Sequence, residues 1–205
     1  MRPWLGALVA RVLLACAALG WQKTPFWDRK QPHEWSDEEL LQIMTDSPWA
    51  QVTQAKAGPP VGIYLASAPP LQVAEKEWLR RYSSKSPQPS QDSGLRQEYE
   101  HFLKENLGHV IVLAVRHPKV QALASADELQ RMEEESFLKD GRKKLKMTGH
   151  FPPVPSDPVL RLVFPRPASA VRELVFELYL PGVSAPYRQA VFTVKDLVYR
   201  GEAGF

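Results

Sequence analysis

Val110-Ile111-Val112-Leu113-Ala114-Val115 is a continuous apolar run of strand length. With no polar face of its own, such a run predicts a strand covered on both sides, the centre of a sheet. The chain beyond Phe151 alternates instead. Leu160, Leu162 and Phe164 share one face, Leu174, Phe176, Leu178 and Leu180 the next, and Ala190, Phe192 and Val194 a third. Alternation with period two predicts half-buried strands, here a C-terminal antiparallel meander turning at Pro181-Gly182 and around Arg166.

Upstream of the apolar run the spacing is mostly helical. Ser36-Asp37-Glu38-Glu39 predicts a capping box, with Trp35 and Leu40 placed to close a hydrophobic staple. Leu40, Leu41 and Met44 form the expected buried stripe of that helix, which ends near Thr45; Ser47 and Pro48 then restart a short helical turn. Gln51–Lys56 and Val61–Ala66 predict a hairpin about Gly58-Pro59-Pro60. Leu71, Ala74, Trp78 and Tyr82 mark one face of a helix, with Glu75, Lys76, Arg80 and Arg81 off it. Ser83–Ser93 holds no large apolar residue and predicts a loop. Leu95, Tyr99, Phe102 and Leu103 define the next helix, stopped at Gly108. Ser125-Ala126-Asp127-Glu128 opens another, expected to run to about Lys139.

Together these patterns predict an α+β fold: N-terminal helices around a small sheet, then the C-terminal meander. Residues 18–150 form the helix-rich region and 151–205 the strands packed on it. No fixed-period repeat is present, which excludes a solenoid or propeller. At 205 residues, 44% hydrophobic and 24% charged, the chain can bury a core and is not disordered throughout. Nineteen prolines, nearly twice the usual share of about 5%, predict interrupted elements and stiff connections. A formal net charge of +3 is too small to argue for a nucleic-acid partner. A single cysteine, Cys16, excludes an intramolecular disulfide and a multi-cysteine metal site.

Residues 1–17 read as an export segment. Arg2 supplies a positive start, Trp4–Ala10 and Val12–Leu19 are apolar, and small residues gather around Cys16. Leu13-Leu14-Ala15-Cys16 resembles the bacterial lipobox, which makes Cys16 the lipidation candidate. Ala15-Cys16-Ala17 equally fits ordinary signal-peptidase cleavage after Ala17, and residues 3–21 approach the roughly 20 residues of an uncleaved anchor. Arg11 opposes insertion by about 2.5–3.5 kcal/mol, which the flanking leucines and alanines can offset. Removing residues 1–17 deletes Arg2 and Arg11 and leaves 24 basic against 23 acidic residues, a net of +1. The expected address is the periplasm or a membrane-anchored lipoprotein, with secretion as the alternative.

Residues 21–35, WQKTPFWDRKQPHEW, predict an extended piece wrapped onto something apolar. Its aromatics allow two readings: a core that locks the segment to the domain, or an exposed interaction patch of Trp21, Phe26 and Trp27. Arg142, Lys143, Lys144 and Lys146 form the strongest charge run. They could contact an anion such as a lipid phosphate or an acidic partner, but a solvated strand edge is the favoured reading, since lysines there discourage sheet-to-sheet association.

No catalytic signature is complete. His33-Glu34 lacks the second histidine of a zinc-protease helix, since position 37 is aspartate. Ser136-Phe137-Leu138-Lys139 matches S-x-x-K, in which a lysine one helical turn away would activate the serine, but its companion motifs are missing. Gly182-Val183-Ser184-Ala185-Pro186 lacks the last glycine of a nucleophile elbow, and the scattered glycines form no phosphate loop. Neither catalytic residues, a metal site nor a cofactor is expected. The surviving enzymatic alternative is a small secreted hydrolase of cell-wall material, its site assembled from distant residues such as His109, Arg116 and His117.

The segments WSDEELLQIMTDSPWAQ at 35–51 and FTVKDLVYRGE at 192–202 resemble exported proteins of soil acidobacteria that carry no assigned activity. That resemblance implies a bacterial envelope address and transfers no functional residue. The expected function is therefore a non-catalytic envelope module that binds a partner protein or wall component and meets the membrane through its N-terminal lipid or anchor.

Overall fold

The computed structural model describes residues 24–54, 58–82, 92–116, 125–154 and 157–205. Cys16, Trp21, His117 and Ser83–Gln91 lie outside the described residues. Five α-helices and eleven strands are found among those described, and every strand pair is antiparallel, so the chain is α+β as its patterns predict.

The apolar run is β3 (Val110–Arg116), and it stands at the centre of a five-stranded sheet. On one side of it lies the hairpin β1 (Ala50–Thr53) and β2 (Val61–Leu65). On the other lie β7 (Val159–Pro165) and the edge strand β6 (Gly149–Phe151). A second, four-stranded sheet orders β5 (Lys143–Lys146), β4 (Phe137–Asp140), β8 (Glu173–Tyr179) and β9 (Tyr187–Thr193). Both sheets recruit strands from either side of residue 150, so regions 18–150 and 151–205 share their sheets and do not form separate layers. Of the three alternating runs, the latter two form the β8–β9 hairpin, and the first, β7, joins β3. Val159 and Val163 make β7 apolar on both faces, and only a place inside a covered sheet buries both.

The register sorts the faces. Phe164, Leu162 and Leu160 of β7 lie opposite Ile111, Leu113 and Val115 of β3, and this face packs on the second sheet, where Phe164 meets Phe176 at 5.2 Å. Phe176 stands in register with Leu138 and Ala190, all fully buried. The opposite face carries Tyr64 and Ala114 in register with Arg161. Over it pack α2 (Asp37–Thr45) and α3 (Pro69–Tyr82), with α4 (Asp92–Asn106) placing the buried Tyr99 against Arg161.

Ser36 caps α2 as expected: its hydroxyl accepts from the Glu39 amide at 3.1 Å, and Glu39 accepts from the Ser36 amide at 2.9 Å. Trp35 and Leu40 are both buried. Leu41 is not, at 47% exposure; Ile43 takes its place, because residues 40, 43 and 44 share one helical face and 41 stands about 100° away from 40. Ser47 and Pro48 form a tight turn bridged from Ser47 to Ala50, with no helix restarted, since β1 begins at once. The segment before α2 is not extended. Pro25 and Pro32 set the backbone at the starts of the short helix α1 (Phe26–Arg29) and a 3-10 turn (Pro32–Glu34).

The helix opened at Ser125, α5 (Ala126–Glu135), stops well short of Lys139. Phe137–Asp140 are drawn into β4, which pairs with strands on both sides, and the Ser136 hydroxyl accepts from the Tyr179 amide at 3.1 Å. Two-sided strand pairing outweighs the local helical propensity. Gly141, at φ +59°, opens the two-residue turn from β4 to β5, a conformation of the type II′ hairpin that glycine adopts without strain.

Helix α3 is tied to α2 by charge. Glu77 accepts from Arg80 at 2.6 Å and from Arg81 at 2.7 Å, while Arg81 also donates to Asp37 at 2.8 Å and to the Trp35 carbonyl at 2.8 Å. The Arg80 hydrogen bond, aided by Arg81 against the effect of burial, holds the Glu77 carboxyl down at about 2. A carboxyl depressed in the folded state contributes stability above its ordinary value of 4.5 and loses it as pH falls toward 2. Glu77→Gln is therefore expected to cost about 1–2 kcal/mol at pH 7, discounted for the exposed Arg80, and almost nothing at pH 2. Urea unfolding of both proteins across that range checks it; a pH-independent difference would remove the ion pair as its cause.

Candidate functional site

The most polar part of the interior lies on the helix-facing side of the five-stranded sheet. Alternation along β7 places Arg161 between Leu160 and Leu162 with its side chain turned beneath α3, where the residue is only 4% exposed. Its guanidinium donates from Nη2 to Glu75 Oε1 at 2.9 Å and from Nη1 to Asp157 Oδ2 at 2.8 Å. The Tyr64 hydroxyl donates to the same Glu75 oxygen at 2.6 Å. The Tyr99 ring lies under the guanidinium, 4.4 Å from its centroid. Arg96 of α4 completes the group, 3.7 Å from Asp157 and 3.2 Å from Glu100.

Burial first, then the negative charge of Glu75, pushes the Tyr64 hydroxyl far above its ordinary range, and Tyr99 is pushed up by the same two causes. Both are neutral at any physiological pH. Burial works against the charge of Arg161, but Glu75, with Tyr64 and Asp157, outweighs it and raises this group as well. The Tyr99 hydroxyl and Arg161 Nε have no hydrogen-bond partner among the described residues.

Two cavities open on this cluster. One, of about 280 Å³, has apolar walls from Met44, Trp78, Pro158 and Val159, and Arg116 joins Arg96 and Arg161 in its lining. The other, of about 420 Å³, lies between α3 and α4 with Tyr99 and Leu103 in its wall. Glu75 and Arg96 face both. The pair of carboxylates is already engaged by Arg161, Arg96 and Tyr64, so neither stands ready as a base toward a bound substrate. Among the described residues no serine, cysteine or histidine lines either cavity. Guanidinium donors, a phenol group and an indole face line the first cavity.

The residues singled out in the sequence fall elsewhere. Cys16 and Trp21 lie outside the described residues. Phe26 and Trp27 are 8% and 9% exposed and form no open patch. An edge-to-face chain runs from Trp35 through Phe26, Trp27 and Trp49 to Tyr199, with centroid spacings of 5.7, 4.9, 5.7 and 6.2 Å. Large apolar area makes burial the favoured state of these rings, and their function is to lock the N-terminal segment onto the C-terminal hairpin β10 (Val198–Tyr199) and β11 (Glu202–Ala203).

Arg142, Lys143, Lys144 and Lys146 are exposed at the open edge of the second sheet. Strand alternation divides them: Lys144 and Lys146 share one face, and Lys143 turns to the other. Lys144 lies over the Phe137 ring at 3.8 Å and 4.0 Å from Glu177; Lys143 lines a shallow groove that also holds Asp140 and Glu173. The run blunts an edge strand, and its four cations do not converge. Ser136 is buried and Lys139 pairs with Glu177, both off any helix, so the S-x-x-K spacing has no catalytic geometry here. His109 and Arg116 flank opposite ends of β3, roughly 20 Å apart at strand rise, too far to serve one site.

Among the described residues no group of three or more His, Cys, Asp and Glu side chains is arranged to hold a metal ion. No helix among them is long and apolar enough to cross a membrane. Fold and site thus define an α+β protein of two antiparallel sheets, with an arginine-rich cavity under its helical layer. Comparison with protein-family models, curated proteins and solved structures finds no match for the chain.

The helical pattern sets Glu75 on the polar face of α3, and no local pattern marks Arg161, Tyr64 or Asp157. One signal for Glu75 exists: residues 71, 75, 78 and 82 follow one helical face as well as 71, 74, 78 and 82 do.

Proposed function

We propose that this protein is an exported bacterial envelope module, of the kind its two terminal segments resemble, which binds a ligand without transforming it. Its ligand belongs to an envelope partner or the wall, and the membrane is met through Cys16 acylation or an N-terminal anchor. The observation that carries the binding reading is the cavity under α3, whose polar groups are donors and whose two carboxylates are spent on Arg161, Arg96 and Tyr64. Export is supported by the apolar, positively started opening stretch.

The address is tested by mass spectrometry of the mature N-terminus in a bacterial envelope fraction. An acylated Cys16 or a free Ala18 supports export. An intact Met1 on a cytosolic protein overturns it.

A further inference from the structure

We propose that the 280 Å³ cavity takes a small monocarboxylate with a flat apolar body, held by Arg116 beside Trp78. The inference rests on the binding reading above and names the ligand class of the same site.

Charge matching comes first. Three guanidinium groups, Arg96, Arg116 and Arg161, line this cavity against two carboxylates, Glu75 and Asp157. Arg161 spans both carboxylates, and Arg96 adds to Asp157. Arg116 has no carboxylate partner among the described residues; its guanidinium lies 5.3 Å from the centroid of the Trp78 ring. Arg96 is also met by Glu100, so Arg116 is the one lining guanidinium left without a carboxylate among the described residues, and a single negative charge complements it. A dianion such as phosphate would overshoot that balance and meet repulsion from Glu75 and Asp157. A neutral apolar guest would strip water from Arg116 and return no hydrogen bond, a costly exchange. A carboxylate matches the guanidinium fork with two parallel hydrogen bonds.

Shape gives the rest. Met44, Trp78, Pro158 and Val159 make the walls apolar, and the register of β3 and β7 sets Arg116 beside Val159 at one end. A cavity of about 280 Å³ stands at the small end of the range that takes a small organic ligand. Phenylacetate meets each requirement and serves as the probe; phenylacetamide has the same shape without the charge.

The test follows the indole N–H of Trp78 by NMR, assigned with Trp78→Phe, during titration of the full chain with each compound. Phenylacetate is expected to shift that signal and to bind at least tenfold more tightly than phenylacetamide. Arg116→Met should erase this preference and Arg116→Lys should keep most of it. The acid and amide comparison on the unaltered protein holds even where Arg116→Met fails to fold. Equal binding of acid and amide overturns the carboxylate assignment and leaves the binding reading standing. No shift with either compound, in a protein whose melting is intact, overturns the assignment of this cavity to a small carboxylate and leaves the binding reading to its own test.

Discussion

Arg161→Met lowers folding stability by about 3–5 kcal/mol, the cost typical of removing one partner from a buried ion group. The replacement fills comparable space, so the loss comes from charge: Glu75 and Asp157 keep their negative charges under α3 with no guanidinium between them. Urea unfolding measures it. The physical cause is separated by second-site changes in the Arg161→Met background. Glu75→Met recovers more than Asp157→Asn, because the Glu75 side chain is 8% exposed against 16% for Asp157. A loss below about 1 kcal/mol would mean that water reaches these carboxylates and that the cluster is no organised interior. The result bears on function too, since the same cluster forms the floor of the cavity.

Trp49→Ala costs about 3–5 kcal/mol, in the range of large aromatic truncations in cores. Trp49 is fully buried and joins two parts of the chain that share no strand: Trp27 of the N-terminal segment on one side and Tyr199 of the C-terminal hairpin on the other. The backbone N–H of Arg200 donates to Asp28 at 2.8 Å across the same junction. Loss of the indole is expected to open this junction before the sheets, so limited proteolysis should cut near α1 while the β-sheet circular dichroism persists. Cleavage spread evenly through the chain would show that the aromatic chain has no local closing function.

Much of the architecture was readable from one-dimensional patterns. The β3 run, the β1–β2 hairpin, the Ser36 cap and the α3 face depend on interactions within a few residues, and periodicity or capping chemistry reports them directly. The failures have a common origin. Phe137–Asp140 was helical by local propensity and became β4 because β5 and β8 supply partners distant in sequence. Phe26 and Trp27 read as core ahead of an exposed patch because Trp35 already serves as a staple, and the presence of Trp49 and Tyr199 beside them decides for core.

The candidate site was the least legible part. Arg161, flanked by leucines, looks like the solvent-facing residue of a half-buried strand, and Glu75 looks like a surface helix residue. Neither assignment survives once β7 lies inside the sheet and α3 covers it, since burial then forces the charges to find one another.

The sequence by itself determined the local periodicities: the faces of α2 and α3, the Ser36 and Ser125 caps, the apolar β3 run with no polar face, and the alternation of β8 and β9. Tertiary structure alone decided which strands became neighbours, and hence that Tyr64, Glu75, Asp157 and Arg161 meet. The reason is range. Periodicity is fixed by backbone geometry within one element, whereas a charge can be buried only where a partner from another element, up to 86 residues away here between Glu75 and Arg161, arrives to neutralise it.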